Sequence, residues 1–201
     1  MLLSRERVFD PVLRSIHAWN GMAIAALILT AQIAHWTALT PEAAALWRFH
    51  VWAGYALLIG LVARLSWGVN GPEHARLGAM WHARAWWQAI RSRHWQAEPE
   101  GYGHHPYAAA AFLAFYLIVL VMAFTGLALA AIAQGRGPLV IWLGHDVTMK
   151  SAFSSPHDLL EEFVIAFVVL HIAALILHEV RHGIPVAQAM ISGFQYRKEK
   201  E

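Results

Sequence analysis

Apolar residues in this chain gather into four long runs separated by polar and turn-forming stretches. The runs cover approximately Ser15–Trp36, Phe49–Trp67, Tyr107–Ala133 and His157–Val180. Each is close to the roughly 20 residues an α-helix needs to cross a bilayer, so the pattern predicts four transmembrane helices. Between the second and third runs, Ala75–Trp95 mixes arginine with tryptophan, as an amphipathic helix lying on a membrane surface does. Thr40-Pro41-Glu42 reads as the start of the second helix. Ser155 as N-cap, Pro156 in the first helical position and Asp158 two residues later predict a sharp start for the fourth. Gly183 and Pro185 end it, and the following IPVAQAMISGF suggests a second interfacial piece. The expected fold is an all-α integral membrane protein, a four-transmembrane-helix bundle forming a single membrane domain over residues 1–201. No small-residue cleavage site follows the first run, which therefore reads as a retained span.

Composition agrees, with 58% hydrophobic and 14% charged residues. The absence of cysteine excludes disulfides, cysteine-held iron–sulfur clusters and covalently attached haem. Basic residues are placed asymmetrically. Arg5, Arg7, Arg14, Arg64, Arg76, Arg84, Arg91, Arg93, Arg181, Arg197, Lys198 and Lys200 fall on one side of the predicted spans. Arg48, Arg136 and Lys150 fall on the other. The bias puts both termini and the middle loop in the cytoplasm, and an even number of spans agrees. The positive charge thus belongs to the inner membrane face, with no case for nucleic-acid binding. Membrane lipids are the expected surroundings of the spans.

The 13 histidines carry the candidate chemistry. His171 is the one polar residue between Phe163 and Leu177, where a histidine costs a few kcal/mol and is functional by default. His157 precedes it by fourteen residues, nearly four helical turns, so both leave the helix on one face roughly 21 Å apart. His178 lies on the same stripe and rivals His171 for the inner position. The first two spans share H-x-W-x-G, as His17, Trp19, Gly21 and His50, Trp52, Gly54. Because these spans run in opposite directions, one histidine falls near each membrane face. A glycine one turn from a histidine leaves room for a flat ring; close helix packing is the other reading. By depth, His17 pairs with His171 and His50 with His157. Two bis-histidine sites suit noncovalent haem b, whose iron takes two axial imidazoles. Zinc is less well served, since no carboxylate or cysteine completes a tetrahedral set. Arg64 follows His50 by fourteen residues on the same face, either as an anchor whose head reaches the interface or as the partner of a cofactor carboxylate. Span three carries no interior histidine, only Thr125-Gly126, and reads as scaffold. Glu161 and Glu162 sit near the outer surface, read first as solvated and otherwise as facing a proton donor or a positively charged partner.

Several stretches together resemble the bacterial cytochrome b561 superfamily, most closely the b-type cytochrome subunits of nickel–iron hydrogenases. They are FDPVLRSIHAW at span one and RFHVWAGYALLIGLVARLSWGVNGPEHARL through span two. GHHPYAAAAF enters span three, GRGPL follows it, and HDLLEEFVIAFVVLHIAALILHEVRHGIPVAQAMISG closes the match. The resemblance covers nearly the whole chain. It implies haem ligands at His17, His50, His157 and His171, and favours His171 over His178. It makes Arg14 and Arg64 candidates to pair with haem propionates. The family's first-span motif has tryptophan directly after the valine and directly after the histidine; here Phe9 and Ala18 stand there, and neither is a ligand.

The expected function is that of a dihaem b-type cytochrome of the bacterial inner membrane. It would carry electrons between the quinone pool and a periplasmic redox protein, either a soluble cytochrome or a hydrogenase-like enzyme. A quinone site is expected on the cytoplasmic side near Arg64 and His104-His105. A second copy of the chain is among the expected partners. The first alternative is a superoxide:quinone oxidoreductase, which would need a basic outer pocket. The second is a histidine-rich metal transporter, for which the spans hold few acidic residues.

Overall fold

The computed structural model of the chain describes residues 3–37, 42–92, 106–144 and 146–198. Its elements follow in order: strand β1 (Leu3–Arg7), helices α1 (Pro11–Trp36), α2 (Glu42–Asn70), α3 (Ala83–Ser92), α4 (Pro106–Gln134), α5 (Val140–Leu143), α6 (Lys150–His182) and α7 (Ala189–Ser192), and strand β2 (Phe194–Lys198). Helices α1, α2 and α4, and α6 with the turn before it, are long and apolar enough to cross a membrane. At 26, 29, 29 and 33 residues, α1, α2, α4 and α6 are each longer than the roughly 20 residues of a minimal span. Large apolar side chains such as Met22, Ile59, Leu117 and Leu170 stand more than 60% exposed along them. Such surfaces are stable against lipid and costly against water.

Three expectations change. Residues 75–95 do not form one surface helix. They form 3₁₀ turns at Glu73–Ala75 and Leu77–Met80, then α3, and the residues from Arg93 to His105 lie outside the described part. The fourth helix starts at Lys150, so Pro156 stands inside it. The ends of the chain are not purely helical, because β1 pairs antiparallel with β2, from Leu3 opposite Lys198 to Arg7 opposite Phe194. The start of α2 at Glu42 agrees with expectation, while Thr40 and Pro41 lie outside the described part.

The chain divides into two compact units, each drawing on α1, α2, α4 and α6. The first contains Met1–His17, Val62–Phe115 and Val169–Glu201. Its core joins Val8, Phe9, Leu13, Ala75 and Ala189, with Trp67 and Met190 against them. Gly193 ends α7 at φ +87°, a left-handed conformation suited to glycine, and its carbonyl accepts from the Val8 and Phe9 amides at 3.0 and 3.1 Å. The Arg14 guanidinium donates to the Met190 and Ile191 carbonyls, so α1 and α7 are tied by charge-assisted bonds. The Arg5 guanidinium lies 5.0 Å from the centre of the Phe194 ring. Paired strands bring the two ends of the described chain side by side.

Asp10 joins α1 to α2. Its carboxylate accepts from the Val12 and Leu13 amides at 2.9 and 3.0 Å, capping α1, and from the Trp67 indole at 3.2 Å. Asp10→Ala removes a cap and leaves the indole without this acceptor. We expect a loss of about 1–2 kcal/mol, read as a lower midpoint in chemical unfolding of the detergent-solubilised protein. An unchanged midpoint would assign the cap no weight.

The second unit contains Ala18–Leu61 and Tyr116–Val168. There the Trp19 indole donates to the Ala56 carbonyl at 2.7 Å and joins α1 to α2. A Cβ at Gly60 would collide with Asn20 and Trp19, so this glycine is the close-packing one.

Candidate functional site

His50 on α2 and His157 on α6 face each other in the second unit, with ring centroids 6.5 Å apart and planes at 71°. Each ring is held by its Nδ1 atom. His50 Nδ1 lies 3.1 Å from Thr30 Oγ1 and 3.2 Å from the Leu27 carbonyl. His157 Nδ1 lies 2.8 Å from Thr125 Oγ1, with the Met122 backbone close to the same ring. A carbonyl can only accept, so His50 Nδ1 carries the proton, and the like position of Thr125 against His157 Nδ1 supports the same tautomer there. The threonine hydroxyls agree. Thr30 Oγ1 reaches the Ala26 carbonyl at 2.6 Å and Thr125 Oγ1 the Val121 carbonyl at 3.0 Å, which spends the hydroxyl proton and leaves oxygen lone pairs for the imidazole. Both histidines therefore keep Nε2 unprotonated and fit to ligate.

The two rings border a cleft that is open at its mouth. Leu27, Gly54, Met122 and Gly126 are among its apolar lining residues. A Cβ placed on Gly54 would meet nothing within 4 Å. One placed on Gly126 would meet His157 Cε1 at 3.3 Å. Gly54 thus leaves space for a flat ligand and Gly126 leaves space for the histidine ring. A haem fits this set. Two imidazoles on one iron, each bonded at about 2 Å, have centroids a little over 6 Å apart, close to the separation observed. The apolar walls suit a macrocycle and the neutral imidazoles suit its iron. Glu161 also lines the cleft and is half-buried. It accepts from Gln32 Nε2 at 3.0 Å, so α1 and α6 are joined there. Trp47 stands edge-on to His50 on one side and to His35 on the other, each at 5.5 Å.

The other candidates fall in the first unit. His17 on α1 and His171 on α6 are within electrostatic reach of each other, and Phe112 packs edge-on to His171 at 5.6 Å. Arg64 is buried at 5% exposure; it donates to the Ala75 carbonyl at 3.0 Å and touches Met80 Sδ at 3.8 Å. A buried guanidinium is costly without hydrogen bonds, and these hold it in place. His178 is exposed and pairs with His182, ring centroids 4.6 Å apart. His104 and His105 lie outside the described residues. Among the described residues no group of three or more histidine, cysteine or acidic side chains is gathered as for a bare metal ion.

Thr30 escaped the sequence reading, and Thr125 entered it only as a scaffold feature. The available signal was slight: Thr30 is a lone hydroxyl in the run Gly21–Ala31, and Thr125 sits at the same kind of position in span three.

Four apolar spans with a tethered histidine pair over an apolar cleft define the class of multi-pass membrane cytochromes. The chain belongs to the prokaryotic cytochrome b561 family, whose model matches residues 8–193. It is 29% identical over 213 residues to the probable Ni/Fe-hydrogenase B-type cytochrome subunit of Cupriavidus necator, covering 96% of this chain and 87% of the relative. It is 27% identical over 163 residues to the same-named protein of Azotobacter vinelandii, covering 75% and 68%. The same-named protein of Bradyrhizobium diazoefficiens is 27% identical over 207 residues, covering 92% and 84%. No solved structure matches the chain. The protein is thus a b-type cytochrome of the bacterial inner membrane that carries haem b and transfers electrons.

Proposed function

We propose that this cytochrome holds two haems b, one between His50 and His157 and one between His17 and His171, and passes electrons across the inner membrane. One end of the path exchanges electrons with the quinone pool and the other with a periplasmic redox protein. The single observation that carries this reading is the His50–His157 pair, 6.5 Å apart, with both Nδ1 atoms tethered over an apolar cleft. Bound haem supplies reversible one-electron chemistry at its iron, and the chain supplies ligands, orientation and dielectric. Each histidine would keep its proton on Nδ1 and offer Nε2 to the iron, and the apolar lining suits the macrocycle. His157 and His171 stand fourteen residues apart on the continuous α6, which supports two sites at different membrane depths. We assign both termini to the cytoplasm, in keeping with the paired end strands and the arginine bias. Arg64, buried in the same unit as His17 and His171, is the propionate partner we favour for the inner haem, with Arg14 as the second candidate. The names of the relatives support a hydrogenase-like enzyme as the periplasmic partner.

The test uses vesicles loaded with ferricyanide, with the protein in their membrane and dithionite outside. Interior ferricyanide should disappear much faster than in protein-free vesicles. His50→Ala should return the rate to the protein-free value, and a short-chain quinol should reduce the haem of the purified protein. A wild-type rate equal to that of empty vesicles would overturn the transmembrane path.

A further inference from the structure

We propose that Thr30 and Thr125 are positioning residues that hold down the redox potential of the haem held by His50 and His157, a role that rests on the outer-pair reading above. Neither α1 nor α4, which carry them, supplies a ligand to that pair. The two threonines nonetheless occupy equivalent places. Each hydroxyl meets the Nδ1 atom of one ligand, Thr30 at 3.1 Å and Thr125 at 2.8 Å. Each lies three residues after a residue whose backbone approaches the same imidazole: Leu27, whose carbonyl is 3.2 Å from His50 Nδ1, and Met122 beside His157. Each hydroxyl gives its own proton to a carbonyl four residues earlier, Ala26 or Val121. Both threonines are buried, at 7% and 4% exposure, where a hydrogen bond is electrostatically stronger than in water.

An imidazole that donates from Nδ1 to an oxygen gains electron density at Nε2 and becomes a more basic ligand. A more basic ligand favours ferric over ferrous iron, so the donated proton lowers the potential. Two such bonds would act on one iron, one through each histidine. They act through separate ligands and acceptors, so their effects should add. Replacing the hydroxyl by a methyl removes one oxygen acceptor and nearly preserves shape. The Leu27 carbonyl still holds the His50 Nδ1 proton and Gly126 still makes room for the His157 ring, so haem should remain bound. What changes is the strength of donation, and the potential reads it directly.

The experiment is a spectroelectrochemical titration of the purified, haem-loaded protein as Thr30→Val, Thr125→Val, the double variant and the two serine variants, with haem counted per chain. We expect each valine variant to keep its haem and to weaken the preference for ferric iron by about threefold to tenfold. That raises one of the two midpoint potentials by up to about 59 mV, the one-electron equivalent of tenfold. The double variant should show the sum of the two shifts, the other midpoint should stay in place, and serine should restore the wild-type value. Unchanged midpoints in valine variants that retain full haem would overturn the proposal. So would haem loss in valine and serine variants alike, because the threonines would then only fill space. If valine sheds haem while serine keeps it, Thr→Ala is titrated in its place and must show the higher potential. His50→Ala separates the two levels of the argument. If it leaves haem content unchanged, the outer-pair reading fails; if it removes one haem while the valine midpoints stay put, only the role of the threonines fails.

Discussion

We expect His50→Ala to lower the haem content of the purified protein from the proposed two per chain to one, and His157→Ala to do the same. This is the largest effect we expect from any single substitution. Among the described residues the two rings stand 6.5 Å apart across the cleft, each with its Nδ1 against a threonine hydroxyl, and His50 also against the Leu27 carbonyl. Removing one imidazole leaves the iron with a single protein ligand in an apolar cleft, and the surviving Thr30 or Thr125 hydroxyl without its donor. Loss of a second-shell partner typically costs tenfold to a hundredfold in metal affinity, and loss of the ligand itself costs more. The His17–His171 pair lies in the other compact unit, so its haem should remain, with its own absorption and potential. The complementary variants His17→Ala and His171→Ala should remove the other haem. The reduced-minus-oxidised spectrum with a haem count per chain checks all four. Two haems surviving in His50→Ala would end the assignment of the outer pair. One haem in the wild type, lost only with His171→Ala, would reduce the path to half the membrane.

The spans and the outer pair were legible because both are consequences of simple periodicities. Twenty apolar residues announce a helix in lipid, and a histidine inside such a run is expensive enough to demand a reason. H-x-W-x-G in the first two runs placed one histidine near each membrane face, and depth then paired His50 with His157. Thr30 was not legible, since a threonine in an apolar helix usually bonds its own preceding turn, as this one also does. Only the three-dimensional approach of α2 to α1 reveals that its oxygen has a second use. The β1–β2 ladder joins residues 3–7 to residues 194–198, a pairing that no local pattern encodes. Pro156 misled for a different reason. Proline is welcome in a first turn and lacks only one donor, so it marked a start that α6 passes through from Lys150 onward. Glu161 read as solvated because it lies near a membrane face, whereas its bond from Gln32 depends on α1 standing beside α6.

Gly54→Leu should exclude the outer haem while leaving the protein folded, and this contrast with Gly60 separates a cleft glycine from a packing one. Gly54 lies one turn after His50 on α2, lines the cleft, and has nothing within 4 Å of where its Cβ would stand. A side chain there meets no protein atom at first. Its cost falls on whatever occupies the cleft. An alanine at this position should even favour the helix by up to about 1 kcal/mol, since glycine is the poorer helix former. Four carbons of leucine would instead project into space that a macrocycle needs, so haem should fall towards one per chain, with helix content and yield near wild type. Gly54→Ala should bind two haems, the outer one more weakly. Gly60→Leu should behave in the opposite way, because its Cβ already collides with Asn20 and Trp19 and must push α1 away from α2. That variant should lose yield and stability before its haem count says anything about the cleft. Circular dichroism, detergent-resistant yield and haem per chain, measured on the three variants together, decide the matter. A full complement of two haems in Gly54→Leu would mean that the outer haem does not lie against α2 at this turn, and would move it elsewhere along the His50–His157 face.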